Sequence, residues 1–260
     1  MTKSETLFHY TDVSALSSIL RNKVLWLTNL GYLNDSQEFH DGVAVVSRVI
    51  ECLVAREGRG FEQRGGGLAF AQGVLQCYKD LGVWSSLYSC SFSGAGNLLS
   101  QWRAYGNYAI EFCREGLESA LSLHDCVYDA AAKESLAERV LKPFIEEAED
   151  YMKTDFAEDM PGLACLTEKI STFKNEHFAA EHEVRIIGKS DYHMSGVKFR
   201  PRGDLLIPYQ EISFPVESIV AIHIGPIANQ DLAENSLSML LRTCGLTRVR
   251  IVKSDIPFRA

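Results

Sequence analysis

The sequence predicts an α+β fold, with strand-like runs and amphipathic helices mixed along one chain. Three segments lead to that expectation. Near the N-terminus, Leu7-Phe8-His9-Tyr10-Thr11 reads as a strand, and a short helix and a second strand follow it. Late in the chain, Glu181-His182-Glu183-Val184-Arg185-Ile186-Ile187 alternates in a way that suits a strand. Near the C-terminus, Ile219-Val220-Ala221-Ile222-His223-Ile224 precedes a helical pattern over 231–241 and a last strand over 249–252. That final unit has the order of a Rossmann-type half, yet Gly-x-Gly-x-x-Gly is missing, so it is expected to complete the sheet as scaffold.

The remaining elements follow in order. Asp12 is suited to cap a helix whose apolar positions Val13, Leu16, Ile19 and Leu20 recur at helical spacing. The helix ends near Asn22-Lys23, and residues 24–28 form the second strand, which leaves His9 and Tyr10 where the first strand ends. A lone His there serves either as a structural cap or as a site residue. Residues 36–80 read mostly as helix, with Val43, Val46, Ile50 and Leu53 on one face. Glycines interrupt them near 58–60 and at Gly65-Gly66-Gly67, a turn rather than a phosphate cradle, because no Gly-Lys-Ser/Thr follows. A Ser-rich strand over 88–93, a short helix over 97–105 and a strand over 108–112 come next, and Val127-Tyr128 ends a further strand. Residues 133–152 form an outer helix with one charged face, and residues 165–176 continue as helix into the Glu181 strand. The expectation is one domain over 1–260, with a helical insertion around 36–80 and outer helices around 131–178.

Side chains two apart on a strand share a face, so Glu181, Glu183 and Arg185 are expected to look one way and His182, Val184 and Ile186 the other. Two carboxylates about 6–7 Å apart repel each other. Such a pair belongs on a wet surface, with Arg185 neutralising one acid, or in a functional cleft.

Other chemistries find little support. His177 and His182 are five apart, and neither His-Glu-x-x-His nor paired Cys-x-x-Cys occurs, so no metal is expected. The serines of 89–93 lack the Gly-x-Ser-x-Gly elbow of a hydrolase. A chain of 260 residues that is 46% hydrophobic can bury a substantial core, and a net charge of −8 argues against binding nucleic acid through a broadly basic surface. Seven scattered cysteines suggest reduced thiols. No apolar leader or run of ~20 apolar residues is seen, so the expected location is cytoplasmic, without a membrane partner.

Together, His9 in Phe8-His9-Tyr10-Thr11, the Ser-rich strand Tyr88-Ser89-Cys90-Ser91-Phe92-Ser93, and Glu183 in Glu181-His182-Glu183 resemble the ADP-ribosyltransferase superfamily. The chain is more closely similar to a widespread bacterial domain family of unknown function grouped with that superfamily. That family's motifs match Asn34-Asp35-Ser36-Gln37-Glu38, Gln101-Trp102-Arg103-Ala104-Tyr105-Gly106 and Glu181-His182-Glu183-Val184-Arg185, in the family's order. One departure is Phe178, where many members carry Trp. The resemblance implies a split, mainly antiparallel sheet pair with inserted helices, NAD as the substrate, and an ADP-ribosyltransferase, a bacterial toxin or anti-phage effector with a protein or nucleic-acid acceptor and an antitoxin or other partner protein.

It also implies residue roles. Glu183 stabilises the oxocarbenium-like ribose, Glu181 orients or deprotonates the acceptor, and His9 and Thr11 hold the adenosine-side ribose. Tyr105, or else Tyr10 or Tyr88, stacks on nicotinamide; Trp102 belongs to the same motif, as a core or a ligand-stacking group; Ser89 and Ser91 support the strand that positions Glu183. Two alternatives share this fold: an NAD glycohydrolase, and a non-catalytic module that senses a nucleotide or binds a protein.

Overall fold

The computed structural model of the protein describes residues 5–33, 36–57, 69–73, 76, 87–151, 161–191 and 193–258. β1 (Thr6–Thr11) stops at Asp12, whose carboxylate accepts the Ala15 N–H at 2.8 Å and caps α1 (Val13–Asn22). An N-cap of this kind contributes about 1 kcal/mol. Ala15, Leu16, Ile19 and Leu20 form the buried stripe of α1, and Lys23, in the left-handed conformation at φ 59°, ends it and turns the chain into β2 (Val24–Asn29).

The chain continues through α2 (Ser36–Glu57), β3 (Leu87–Ser93), α3 (Leu99–Tyr105), β4 (Tyr108–Cys113), α4 (Arg114–Glu118), β5 (His124–Asp125), α5 (Ala130–Tyr151) and α6 (Pro161–Ile170). A 3-10 turn over Glu176–Glu181 leads into β6 (Glu183–Lys189). Then come β7 (Lys198–Arg202), β8 (Leu205–Ser213), β9 (Ile219–Ile224), α7 (Gln230–Thr243) and β10 (Arg250–Lys253).

The ten strands make one mostly antiparallel open sheet in the order β10-β9-β4-β1-β3-β2-β8-β7, with β6 and β5 branching from β3. Among these described strands only β9 and β10 pair in parallel, joined by α7 as the C-terminal strand–helix–strand pattern requires. The branch positions the site. β6 pairs with β3 along all of it, from Leu87↔Lys189 to Ser93↔Glu183. On the other edge of β3, β1 touches only at Phe8↔Ser93, whereas β2 touches at Thr28↔Ser89 and Asn29↔Tyr88. β1 and β2 therefore diverge from a shared neighbour, and α1 joins them.

Two apolar clusters hold these parts. Leu7, Leu16, Ile19, Tyr88, Phe92 and Phe112 join α1 to one face of the sheet. Val46, Ile50, Leu141, Phe144, Leu166 and Ile170 join α2, α5 and α6. Residues 69–73 are helical too, as expected for this region. Gly65-Gly66-Gly67 and the Asn34-Asp35 pair lie outside the described residues.

Several expectations are corrected. The strand containing the paired acids begins at Glu183, not Glu181, because His182 sits in the left-handed region at φ 45° and interrupts extended backbone. The helix before it ends at Ile170, where the chain turns through Ser171 and Thr172. Around Val127 the strand is limited to His124–Asp125, and Val127 makes a single parallel bridge to Phe173. The hairpin of β7 and β8 was not anticipated at all. Its turn is Gly203-Asp204, with Gly203 at φ 57°, a dipeptide that marks hairpins. β7 is an edge strand exposed at nearly every position, so it shows no alternating burial to betray it.

Candidate functional site

The period of two along three strands creates a polar face. In β3, Tyr88, Cys90 and Phe92 enter the core, which sends Ser89, Ser91 and Ser93 to the opposite face. Across the ladder Ser91 faces Arg185 and Ser93 faces Glu183, while Val184 and Ile186 join the core. β2 repeats the rule, burying Leu25 and Leu27 and turning Trp26 and Thr28 away from that core. Where β1 and β2 diverge, this face becomes part of the wall of a cavity of about 520 Å³. Among the residues proposed from sequence, His9, Tyr10, Thr11, Ser89, Ser91, Tyr105, Glu181 and Glu183 all line it.

One end holds four charges. Glu183 is 6% exposed, and its two carboxylate oxygens receive different cations: Arg185 Nε at 2.6 Å and Lys174 Nζ at 2.6 Å. Lys174 also reaches Glu181 at 3.3 Å, so one buried ammonium bridges both acids. Arg185 donates in addition to the Ser171 carbonyl at 2.7 Å. Burial alone would raise the Glu183 carboxyl, but the charges and hydrogen bonds of Arg185 and Lys174 outweigh it and hold it at about 2. Although Glu181 is not on the strand, it reaches the same cavity because its turn is pinned. Ser93 Oγ donates to the Glu181 carbonyl at 2.7 Å, and the Gly94 N–H donates to the carbonyls of Glu181 and His182. The Glu183 N–H donates to Tyr128 Oη at 2.8 Å, which fixes the first residue of β6. Phe178 is exposed and lies under the Lys174 ammonium at 5.0 Å.

His9 spans the gap between the diverging strands. Its Nδ1 lies 2.9 Å from the Ser91 carbonyl, an acceptor only, so Nδ1 carries the proton and Nε2 is left with a lone pair. Burial lowers the imidazole below its ordinary value, against the hydrogen bond to Ser91, and favours this neutral form.

Tyr10 and Trp102 have structural tasks. The Tyr10 hydroxyl donates to the Ala95 carbonyl and accepts the Leu98 N–H, both at 3.1 Å, while its ring meets Trp102 edge-on with centroids 4.7 Å apart. Trp102 is 3% exposed, donates its indole N–H to Asn97 and is not among the cavity-lining residues. Tyr88 is fully buried in the sheet core and is likewise absent from the cavity. Of the aromatics considered for stacking, Tyr105 combines exposure with a place on the cavity wall.

Sequence reasoning missed Lys174, Gln101, Trp26 and Arg200. Gln101 and Trp26 line the cavity, as does Arg200, which arrives on the unanticipated hairpin. The alternation Lys198-Phe199-Arg200-Pro201-Arg202 before Gly203-Asp204 was the available signal for Arg200. Lys174 had none, because it enters from a non-repetitive stretch. Compared with protein-family models, with curated proteins and with solved structures, the chain matches none.

Proposed function

We propose that the protein is an NAD-dependent ADP-ribosyltransferase that transfers ADP-ribose to a protein or nucleic-acid acceptor. The observation that carries this reading is the convergence of His9 from β1, the serines of β3 and the acids Glu181 and Glu183 on one cavity between diverging strands. NAD would bind with its nicotinamide-side ribose beside Glu183. As the bond from C1′ to the pyridinium nitrogen breaks, its electron pair leaves with nicotinamide and positive charge builds on the ribose. A fixed carboxylate stabilises that charge more in the transition state than in the ground state. Arg185 and Lys174 keep Glu183 ionised, and a carboxylate offers about four acceptor positions, so each oxygen retains one for a ribose hydroxyl. The acceptor nucleophile then bonds to C1′ and gives its proton to Glu181.

The same double clamp favours a second reading, because two cations offset the charge that catalysis would use. In it, the cavity binds the nucleotide without turnover. Labelled NAD tests both. The pure protein is incubated with bacterial lysate and NAD labelled in its adenylate half, and protein, RNA and DNA are separated. Label in one macromolecular fraction is expected; nicotinamide release without it assigns a glycohydrolase. NAD left intact in every condition selects binding alone. If the acceptor is essential, as for a toxin or anti-phage effector, expression of the active protein should arrest growth.

A further inference from the structure

Unsatisfied hydrogen-bonding atoms gather at the other end of the cavity. Among the described residues, the buried side-chain polar atoms without a partner include Trp26 Nε1, Ser89 Oγ and Arg200 Nε, and all three residues line this cavity. Buried donors are nearly always satisfied, so three on one cavity require an explanation. They come from three strands: β2, β3 and β7. Arg200 joins them physically. Its guanidinium carbon lies 4.9 Å from the Trp26 ring centroid, and Nη2 donates at 3.0 Å to Thr28, the residue paired with Ser89.

The chemistry of the missing partner follows. Two N–H groups and one hydroxyl call for acceptors. Arg200 makes no salt bridge among the described residues, and Arg202 adds a second positive charge to the same wall against the one carboxylate that acts on Arg200, that of Asp12, so the acceptors should be anionic. Donors on three strands approach from different directions. A tetrahedral oxyanion with several oxygens answers them better than a planar carboxylate with two.

We propose that Arg200, Trp26 and Ser89 form a phosphate-binding subsite at the end of the cavity remote from Glu183. Ser89 lies four residues along β3 from Ser93, the partner of Glu183, which is about 13 Å at the rise of a strand. The subsite thus takes the phosphates of the ligand and leaves the reacting ribose to the acidic end. Only the identification of those phosphates as the diphosphate of NAD rests on the function proposed above.

Calorimetry on the full chain tests this with sodium pyrophosphate, inorganic phosphate, ADP-ribose and adenosine. The wild type should bind pyrophosphate more weakly as salt rises, and bind ADP-ribose at least tenfold more tightly than adenosine. Arg200→Gln should weaken pyrophosphate at least tenfold and erase the advantage of ADP-ribose, with adenosine unchanged. Arg200→Lys, which keeps the charge and loses the Nε donor, should fall between. If Arg200→Gln fails to fold, Ser89→Ala decides: a three- to tenfold loss for pyrophosphate supports the subsite, and no loss overturns it. Equal binding of pyrophosphate and ADP-ribose by wild type and Arg200→Gln, with NAD still consumed, overturns the subsite and leaves the transferase standing. Pyrophosphate binding that is lost on substitution, in a protein that never consumes NAD, supports the subsite and removes the transferase.

Discussion

Glu183 sits where stability and chemistry compete for one charge. Removing one partner from a buried ion pair costs about 3–5 kcal/mol, because the other partner stays buried and uncompensated. In Glu183→Gln two cations, Arg185 and Lys174, lose their shared carboxylate, while Lys174 keeps its 3.3 Å contact to Glu181 and Arg185 its bond to the Ser171 carbonyl. We therefore expect this variant to lose roughly 3 kcal/mol of stability in denaturant unfolding at pH 7 as well as its NAD turnover. A variant as stable as the wild type would show that the clamp adds nothing to folding. The pH dependence gives a second view. The folded carboxyl is depressed from 4.5 to about 2, so its contribution is complete above pH ~5 and is lost as pH falls toward 2. The stability gap between wild type and Glu183→Gln should close over that interval; a constant gap would assign it to packing. Glu181, whose carboxylate meets Lys174 at the longer distance of 3.3 Å, should behave differently. Glu181→Gln should unfold near the wild-type midpoint and impair transfer to the acceptor more than hydrolysis of NAD, measured as labelled acceptor against released nicotinamide. Equal loss of both would give the two acids one role.

Element boundaries depend on contacts as close as that of Gly106 against the end of β1. Gly106 has φ 126°, and a Cβ there would stand 2.6 Å from the Thr11 carbonyl and 2.7 Å from the Asp12 nitrogen, both backbone atoms that cannot rotate away. Gly106→Ala should cost on the order of 3 kcal/mol from strain and overpacking. At roughly 2–4 °C per kcal/mol for a chain near this size, that lowers the melting temperature by roughly 6–12 °C. Gly73→Ala, in a helix with open space around it, should melt at or slightly above wild type, which makes a matched control in the same calorimetric scan. Such contacts also explain which elements the sequence revealed. β1, α1 and β2 were legible because Asp12, Lys23 and the stripe Leu16–Ile19–Leu20 act locally. The start of β6 was not, because the left-handed turn at His182 is stabilised by Ser93 and Gly94, residues distant in sequence. The β7–β8 hairpin went unseen because Lys198–Arg202 alternates over too short a run, most of it exposed, for its period to stand out, although Gly203-Asp204 marked its turn. Of the site, the polar faces of β3 and β6 could be read from their period, whereas Lys174 and Arg200 arrive by tertiary packing.

Across the whole molecule, charge is distributed against the average. The chain carries −8, yet the acids at one end of the cavity are balanced by Lys174 and Arg185, and Arg200 and Arg202 stand at the other. The anionic ligand proposed above would thus meet local positive charge on a protein whose overall charge would repel it. The cavity also lies at a sparsely paired seam of the sheet, where β1 meets β3 at a single residue pair. A ligand that touches β1, β3 and β7 together should act as a splint across that seam. Binding to the folded state alone stabilises by about 2.7 kcal/mol at a hundredfold excess over the dissociation constant. By the scale used above, NAD or ADP-ribose should then raise the melting temperature by roughly 5–11 °C. Nicotinamide alone, which cannot span the seam, should at the same degree of saturation give a comparable rise in melting temperature but confine hydrogen-exchange protection to the acidic end. With NAD or ADP-ribose, exchange should slow at the end of β1 and in the β7–β8 hairpin together, although they are distant in sequence, because one molecule holds both. Protection confined to the acidic end, or equal protection by nicotinamide, would mean that the ligand does not bridge the seam.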